Sequence, residues 1–124
     1  DYNKKDIRFV HVHLPPGNTL INKEKRLDDI KEIVNFCKKK KNVIIAGDFN
    51  DTSSSKMYKY MIKNNYKSSV MEALGKEIKT FPSKNPIKCI DYIMIKGDIG
   101  VTSAIIFGNA KASDHKGIKV ELDI

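Results

Sequence analysis

The sequence predicts an α/β sandwich-like fold, and three observations carry that prediction. The first half alternates strand-like with helix-like patterns. The second half reads mostly as strands, in "CIDYIMI", "VTSAIIF" and "IKVELDI". The chain of 124 residues suits one domain, with about 40% apolar residues to build a core. No internal repeat or flexible linker interrupts it, and no stretch nears the roughly 20 continuous apolar residues of a membrane span.

Each element follows from its local pattern. "IRFVHVHL" (7–14) alternates, with Val10, Val12 and Leu14 on one face and Ile7, Phe9, His11 and His13 on the other. Pro15-Pro16-Gly17 ends it. Asn22 is placed to cap a helix running to about Lys40, with Leu27, Ile30, Val34 and Cys37 as its buried stripe. Val43 to Ala46 is the next strand. Asp51 or Ser53 can cap a second helix, whose pairs Met57/Met61 and Tyr58/Ile62 give it an apolar face. Asn64-Asn65 stops it. Tyr66 to Leu74 reads as a strand followed by a short turn, and 75–88 as a loop. Cys89 to Ile95 is a strand broken by Gly97-Asp98. Val101 to Phe107 is another, and Ile118, Val120, Leu122 and Ile124 alternate in the last.

Net charge is +8, which favours polyanionic partners. Yet only Arg8 and Arg26 are Arg among the 23 basic residues, and Arg is the side chain that forks onto phosphate. The run Lys38 to Lys41 sits at the expected helix C-terminus, where cations suit the dipole. Cys37 and Cys89 lie in apolar patterns without metal-type spacing. They read as two buried thiols rather than a disulfide scaffold, which suggests an intracellular setting.

The chemistry collects at strand ends. "NVIIAGDFND" (42–51) drives an apolar strand into Asp48, Asn50 and Asp51. Taken alone, that tip is equally a turn. Asp91, however, lies inside an otherwise apolar strand, where a carboxylate is costly unless paired or solvated. Asp114-His115 sit in the loop before the last strand, and His13 ends the first. Loops at the ends of a rigid scaffold are where sites are built. Acids, an amide and imidazoles together suit phosphoester hydrolysis: oxygen ligands for Mg²⁺, a base for water, a donor to phosphate, and an acid for the leaving group.

The ordered strings "HVHLPP", "GDFN", "TFP", "IDYI" and "SDHKGIKVEL" resemble the second half of the endonuclease/exonuclease/phosphatase (DNase-I-like) family, over nearly the whole chain. The resemblance implies half of a four-layered α/β sandwich, with a mixed, mainly antiparallel sheet, and residues 1–124 as the C-terminal half of that domain. It implies a Mg²⁺-dependent phosphodiester hydrolase, with Mn²⁺ as a possible substitute. Asp48 would orient or deprotonate water beside the metal, and Asn50 would bind the scissile phosphate. Asp91 would orient His115, which binds phosphate and moves a proton. Asp114 would reach the metal, and His13 would contact phosphate or act as the general acid. Thr80-Phe81-Pro82 resembles a loop bordering the cleft, without an assigned chemistry, and Arg26 resembles a helix arginine for which a structural role serves at least as well. The family's earlier Asn and metal-binding Glu have no counterpart before His13. The expected partners are therefore the other half of the domain and a phosphoester substrate: nucleic acid, phospholipid or inositol phosphate. The alternative is a non-catalytic binding module or an inactive fragment of that fold.

Overall fold

The computed structural model describes residues 5–124. In chain order the elements are β1 (Ile7–His13), α1 (Leu20–Phe36), β2 (Asn42–Asp48), α2 (Lys56–Lys63), β3 (Lys67–Ser68), α3 (Ser69–Leu74), β4 (Asp91–Lys96), β5 (Gly100–Phe107) and β6 (Gly117–Asp123). The strands make a four-stranded sheet of order β1-β2-β4-β3 and a two-stranded sheet of β5 and β6. β1 and β2 run parallel, joined through α1, as a parallel pair requires a long crossover. The β2–β4, β3–β4 and β5–β6 pairs are antiparallel.

Period-two burial explains the layers. One face of the larger sheet buries Val12, Val43, Ile45, Tyr92 and Met94 against Ile30, Val34 and Cys37 of the first helix and its cap, and against Met57 and Met61 of α2. Ile30, Ile45, Met61 and Met94 are fully buried, so truncating any of them to Ala costs about 2–5 kcal/mol. Phe49 and Tyr92 meet edge to face at 5.4 Å within this core. The opposite face gathers Ile44, Ile95 and Ile99 with Val101, Leu122 and Ile124 of the smaller sheet's strands and their C-terminal end. Helices, sheet and second sheet therefore stack as layers of an α/β sandwich with a mixed, mainly antiparallel sheet arrangement.

Several local expectations are corrected. α1 begins one turn earlier than Asn22 implies. Thr19 is its cap, and its Oγ1 accepts the Asn22 backbone N–H at 3.2 Å. The helix ends at Phe36 with Cys37 as its cap, so the lysine run lies just beyond it. α2 is capped by Ser55, not Asp51 or Ser53, because the chain makes a turn through 52–55 before entering the helix. Tyr66 to Leu74 holds a two-residue strand and a helix whose cap Ser68 accepts from Met71 N–H. Cys37 is buried, but Cys89 is only half-buried.

Candidate active site

Strand register builds the site. His13 of β1 lies opposite Asp48 of β2, and Asp48 opposite Asp91 of β4. The three side chains thus form one row across adjacent strands. They stand on the face turned away from α1 and α2, because the neighbouring residues Val12 and Tyr92 point into the helical core. Two residues down each strand the same face carries His11, Ala46 and Ile93, and two further Phe9, Ile44 and Ile95. The sheet face therefore turns from apolar to polar toward this end. Gly47 permits the close approach of β1 to β2. Its φ is +144°, and a Cβ there would lie 1.9 Å from the Val12 carbonyl oxygen.

His115 arrives from the β5–β6 loop. Its Nδ1 lies 2.8 Å from Asp91 Oδ2, and a carboxylate only accepts, so Nδ1–H is the donor. Its Nε2 is left facing Asp48 Oδ2 at 3.6 Å, while His13 Nε2 approaches the same oxygen from the other side at 3.5 Å. Both gaps exceed a good hydrogen bond and suit a bridging group. Asp48 Oδ1 accepts the Asn50 backbone N–H at 2.8 Å. Asn50 sits at φ 51°, a left-handed turn that Asn tolerates, and donates Nδ2–H to the Leu14 carbonyl at 2.6 Å. Its second amide hydrogen remains for another acceptor. His13 is largely exposed; Asp48, Asp91 and His115 are partly buried. Asp48 and Asp91 border an open groove of about 390 Å³ that His11, Lys116 and Ile118 also line.

The electrostatics suit proton transfer. Burial raises the Asp48 pKa above its ordinary value, and the neighbouring Asp91 charge adds to this against the opposing Asn50 hydrogen bond. Burial works the other way on His115. The Asp91 hydrogen bond and the charges of Asp91, Asp48 and Asp114 outweigh it and hold the imidazole pKa above the usual value.

Asp114 differs from the other expected site residues. It is exposed, its backbone carbonyl accepts from Ser83 N–H at 2.7 Å, and it lies outside the cluster of three possible metal-ligating side chains, which is Asp48, Asp91 and His115. Within that cluster ligand atoms lie within 4.8 Å of one another. Asp91 Oδ2 is already engaged by two donors, His115 Nδ1–H and Thr80 Oγ1–H. Asp48 Oδ2 accepts no comparable hydrogen bond among the described residues, which leaves that oxygen free for a hard cation.

Two contributions escape sequence reasoning. Thr80, fully buried, donates to Asp91 at 2.7 Å, and the Phe81 ring packs against the His115 imidazole at 4.8 Å. The "TFP" string marks their loop, but only the fold brings it to the site. Arg26 has a structural role. It is buried, pairs with Asp51 at 3.0 Å, and donates to the carbonyls of Pro15 and Gly17 at 2.9 Å. It ties the loop after His13 to the loop after Asp48.

The layered α/β fold thus brings a carboxylate-oriented imidazole to face a second carboxylate, an arrangement that can order a water beside an anion. The chain belongs to the endonuclease/exonuclease/phosphatase family, whose family model matches residues 3–115. Solved structures share the fold. A family protein from Leptotrichia buccalis is 22% identical over 100% of this chain and 52% of that one, with a TM-score of 0.75. A 3'-5' exonuclease from Neisseria meningitidis is 11% identical over 95% of this chain and 62% of that one, with a TM-score of 0.78. A mannosyl-6-phosphatase from Bacteroides thetaiotaomicron is 17% identical over 95% and 51%, with a TM-score of 0.65. The chain spans about half the length of most structures it resembles. No curated protein matches it.

Proposed function

We propose that this chain carries one side of the active site of a divalent-metal-dependent phosphodiester hydrolase. The observation that carries the reading is the row His13–Asp48–Asp91, closed from above by His115. Asp48, flanked by two imidazoles, orients the attacking water and accepts its proton. Asp91 fixes the His115 tautomer, which leaves Nε2 to meet a phosphate oxygen or the leaving group. The free Asn50 amide hydrogen serves a non-bridging oxygen. His13, exposed at the rim, contacts phosphate or serves as the general acid.

The donor chemistry fits Mg²⁺ or Mn²⁺ at Asp48 and Asp114, since Mg²⁺ commonly takes one or two carboxylates and keeps waters. When bound, such an ion polarises the phosphoryl oxygens and makes water more acidic. Asp91 and His115 serve each other instead of the ion. The substrate class is open to the same chemistry: relatives bear names as different as a nucleic-acid exonuclease and a sugar phosphatase.

Hydrolysis of bis(p-nitrophenyl) phosphate by the protein carrying this chain with the other half of its domain tests the reading. We expect turnover in Mg²⁺ or Mn²⁺, loss in EDTA, and a drop on the order of 10³-fold in Asp48→Ala and His115→Ala, because each acts at the reacting centre. Near-normal rates in either variant overturn the mechanism, and binding without turnover points to a non-catalytic module.

A further inference from the structure

We propose that Thr80 is a positioning residue of this site: its hydroxyl sets the orientation of the Asp91 carboxylate, and Asp91 in turn sets His115. The proposal rests on reading the Asp91–His115 pair as catalytic. The two donors, Thr80 Oγ1–H at 2.7 Å and His115 Nδ1–H at 2.8 Å, converge on the same oxygen, Asp91 Oδ2. A carboxylate's terminal torsion is broad and nearly two-fold. Something must choose where that oxygen stands before an imidazole can read it. Thr80 is suited to choose, because it is itself fixed on all sides. It is completely buried. Its Oγ1 accepts the Ile90 N–H at 3.3 Å, and its backbone N–H donates to Lys88 at 2.9 Å.

The same residue also holds the other partner's loop. The Thr80 carbonyl accepts the Lys116 N–H at 2.8 Å, immediately after His115. Three residues on, Ser83 donates its N–H to the Asp114 carbonyl at 2.7 Å and its hydroxyl to the Ser113 carbonyl at 2.6 Å. Phe81 lies between, with its ring against the imidazole. The loop from Thr80 to Ser83 thus grips residues 113–116 by main chain while its first side chain grips Asp91. A site that needed only volume at position 80 would accept Val, which has nearly the same shape without a polar group to satisfy. The hydroxyl is there for its hydrogen bonds.

The test reads the imidazole directly and needs no turnover, so its failure is separable from failure of the hydrolase reading. The protein carrying this chain with the other half of its domain is labelled with ¹⁵N-histidine, and ring nitrogen shifts are recorded above the imidazole titration, the His115 signals being assigned by their loss in His115→Gln. In the wild type, His115 should be the Nδ1–H tautomer. Asp91→Asn should lose that preference. Thr80→Val should shift His115 toward the Asp91→Asn value, and Thr80→Ser should keep the wild-type signature. A folded Thr80→Val with an unmoved tautomer overturns the proposal, as does a variant that merely melts earlier with His115 unchanged. If Thr80→Val does not fold, Thr80→Ser and Thr80→Cys replace it, the first keeping a strong O–H donor and the second offering a weak, bulkier S–H. Identical His115 signatures in those two overturn the proposal, and a shift in the Cys variant alone supports it.

Discussion

Arg26 shows how a single charge is made tolerable in a core. Its guanidinium is almost fully buried, yet Asp51 neutralises it through Nε and Nη2, and two carbonyls accept the Nη1 hydrogens. Removing one partner of such a pair strands the other, so Arg26→Ala should cost about 3–5 kcal/mol, read as a shift in the urea midpoint. A change within about 1 kcal/mol would show that the pair is solvated. The helical spacing of Leu27, Ile30 and Val34 places Arg26 at the edge of the buried stripe, but its partners lie 9 to 25 residues away, so its purpose was only half legible. Asp91 was legible because it interrupts an apolar strand, and Asp48 and Asn50 because they end one; His115 lies in a polar loop, where the "SDH" string and its resemblance to the family singled it out. Thr80 breaks none, as threonine is an ordinary loop residue. Burial supplies another expectation at this scale. It pushes the Cys89 thiol from 9.0 up to about 12, and the Tyr66 phenol from 10.0 up to about 12. Both are neutral when protonated, so between those values the folded chain retains protons that the unfolded chain releases. Stability is then fully present below about pH 9 and falls as pH rises toward 12. Thermal melts from about pH 8 to about pH 11 should show a steadily falling midpoint; a flat profile would mean that these groups are open to water.

The elements were read more securely in kind than in their limits. Hydrophobic periodicity identified α1, α2, β1, β5 and β6, while β2 and β4, buried on both faces, stood out as continuous apolar runs. The caps were harder, since "NDTSSS" offers several oxygens at the start of α2 and only the path of the turn selects among them. Ser55 Oγ accepts the Tyr58 N–H at 3.1 Å. Ser55→Ala should therefore cost about 1 kcal/mol, whereas Ser53→Ala should change little. Asp51→Ala should cost more than either, through Arg26 and not through the helix. Equal effects at 53 and 55, measured by urea unfolding, would contradict this cap. Gly47 belongs to the same scale. Its positive φ and contact with the Val12 carbonyl let β1 and β2 close beside the site, so Gly47→Ala strains both strands together.

At the scale of the molecule, the row of site residues lies along one border of the larger sheet, and the chain matches about half the length of the structures that share its fold. The apolar side chains Phe9, Ile105 and Phe107 are each more than half exposed on this molecule. Family resemblance made the halved architecture legible, while composition and periodicity alone stopped at an α/β sandwich. The geometry then bears on metal affinity. Mg²⁺ prefers near-octahedral oxygen coordination. Here Asp48 offers one free carboxylate oxygen, Asp114 stands exposed on a neighbouring loop, and Asp91 is committed to Thr80 and His115. A chain of residues 1–124 should consequently take up Mg²⁺ weakly by isothermal titration and hydrolyse almost none of a phosphodiester such as bis(p-nitrophenyl) phosphate. Supplying the remainder of the domain, in the same chain or as a separate one, should strengthen metal uptake and bring turnover together, because Asp48 and Asp114 alone supply fewer oxygens than the ion prefers. Asp48→Asn should abolish the gain. Tight uptake and brisk turnover by residues 1–124 alone would show that the row and its loops already form a complete site.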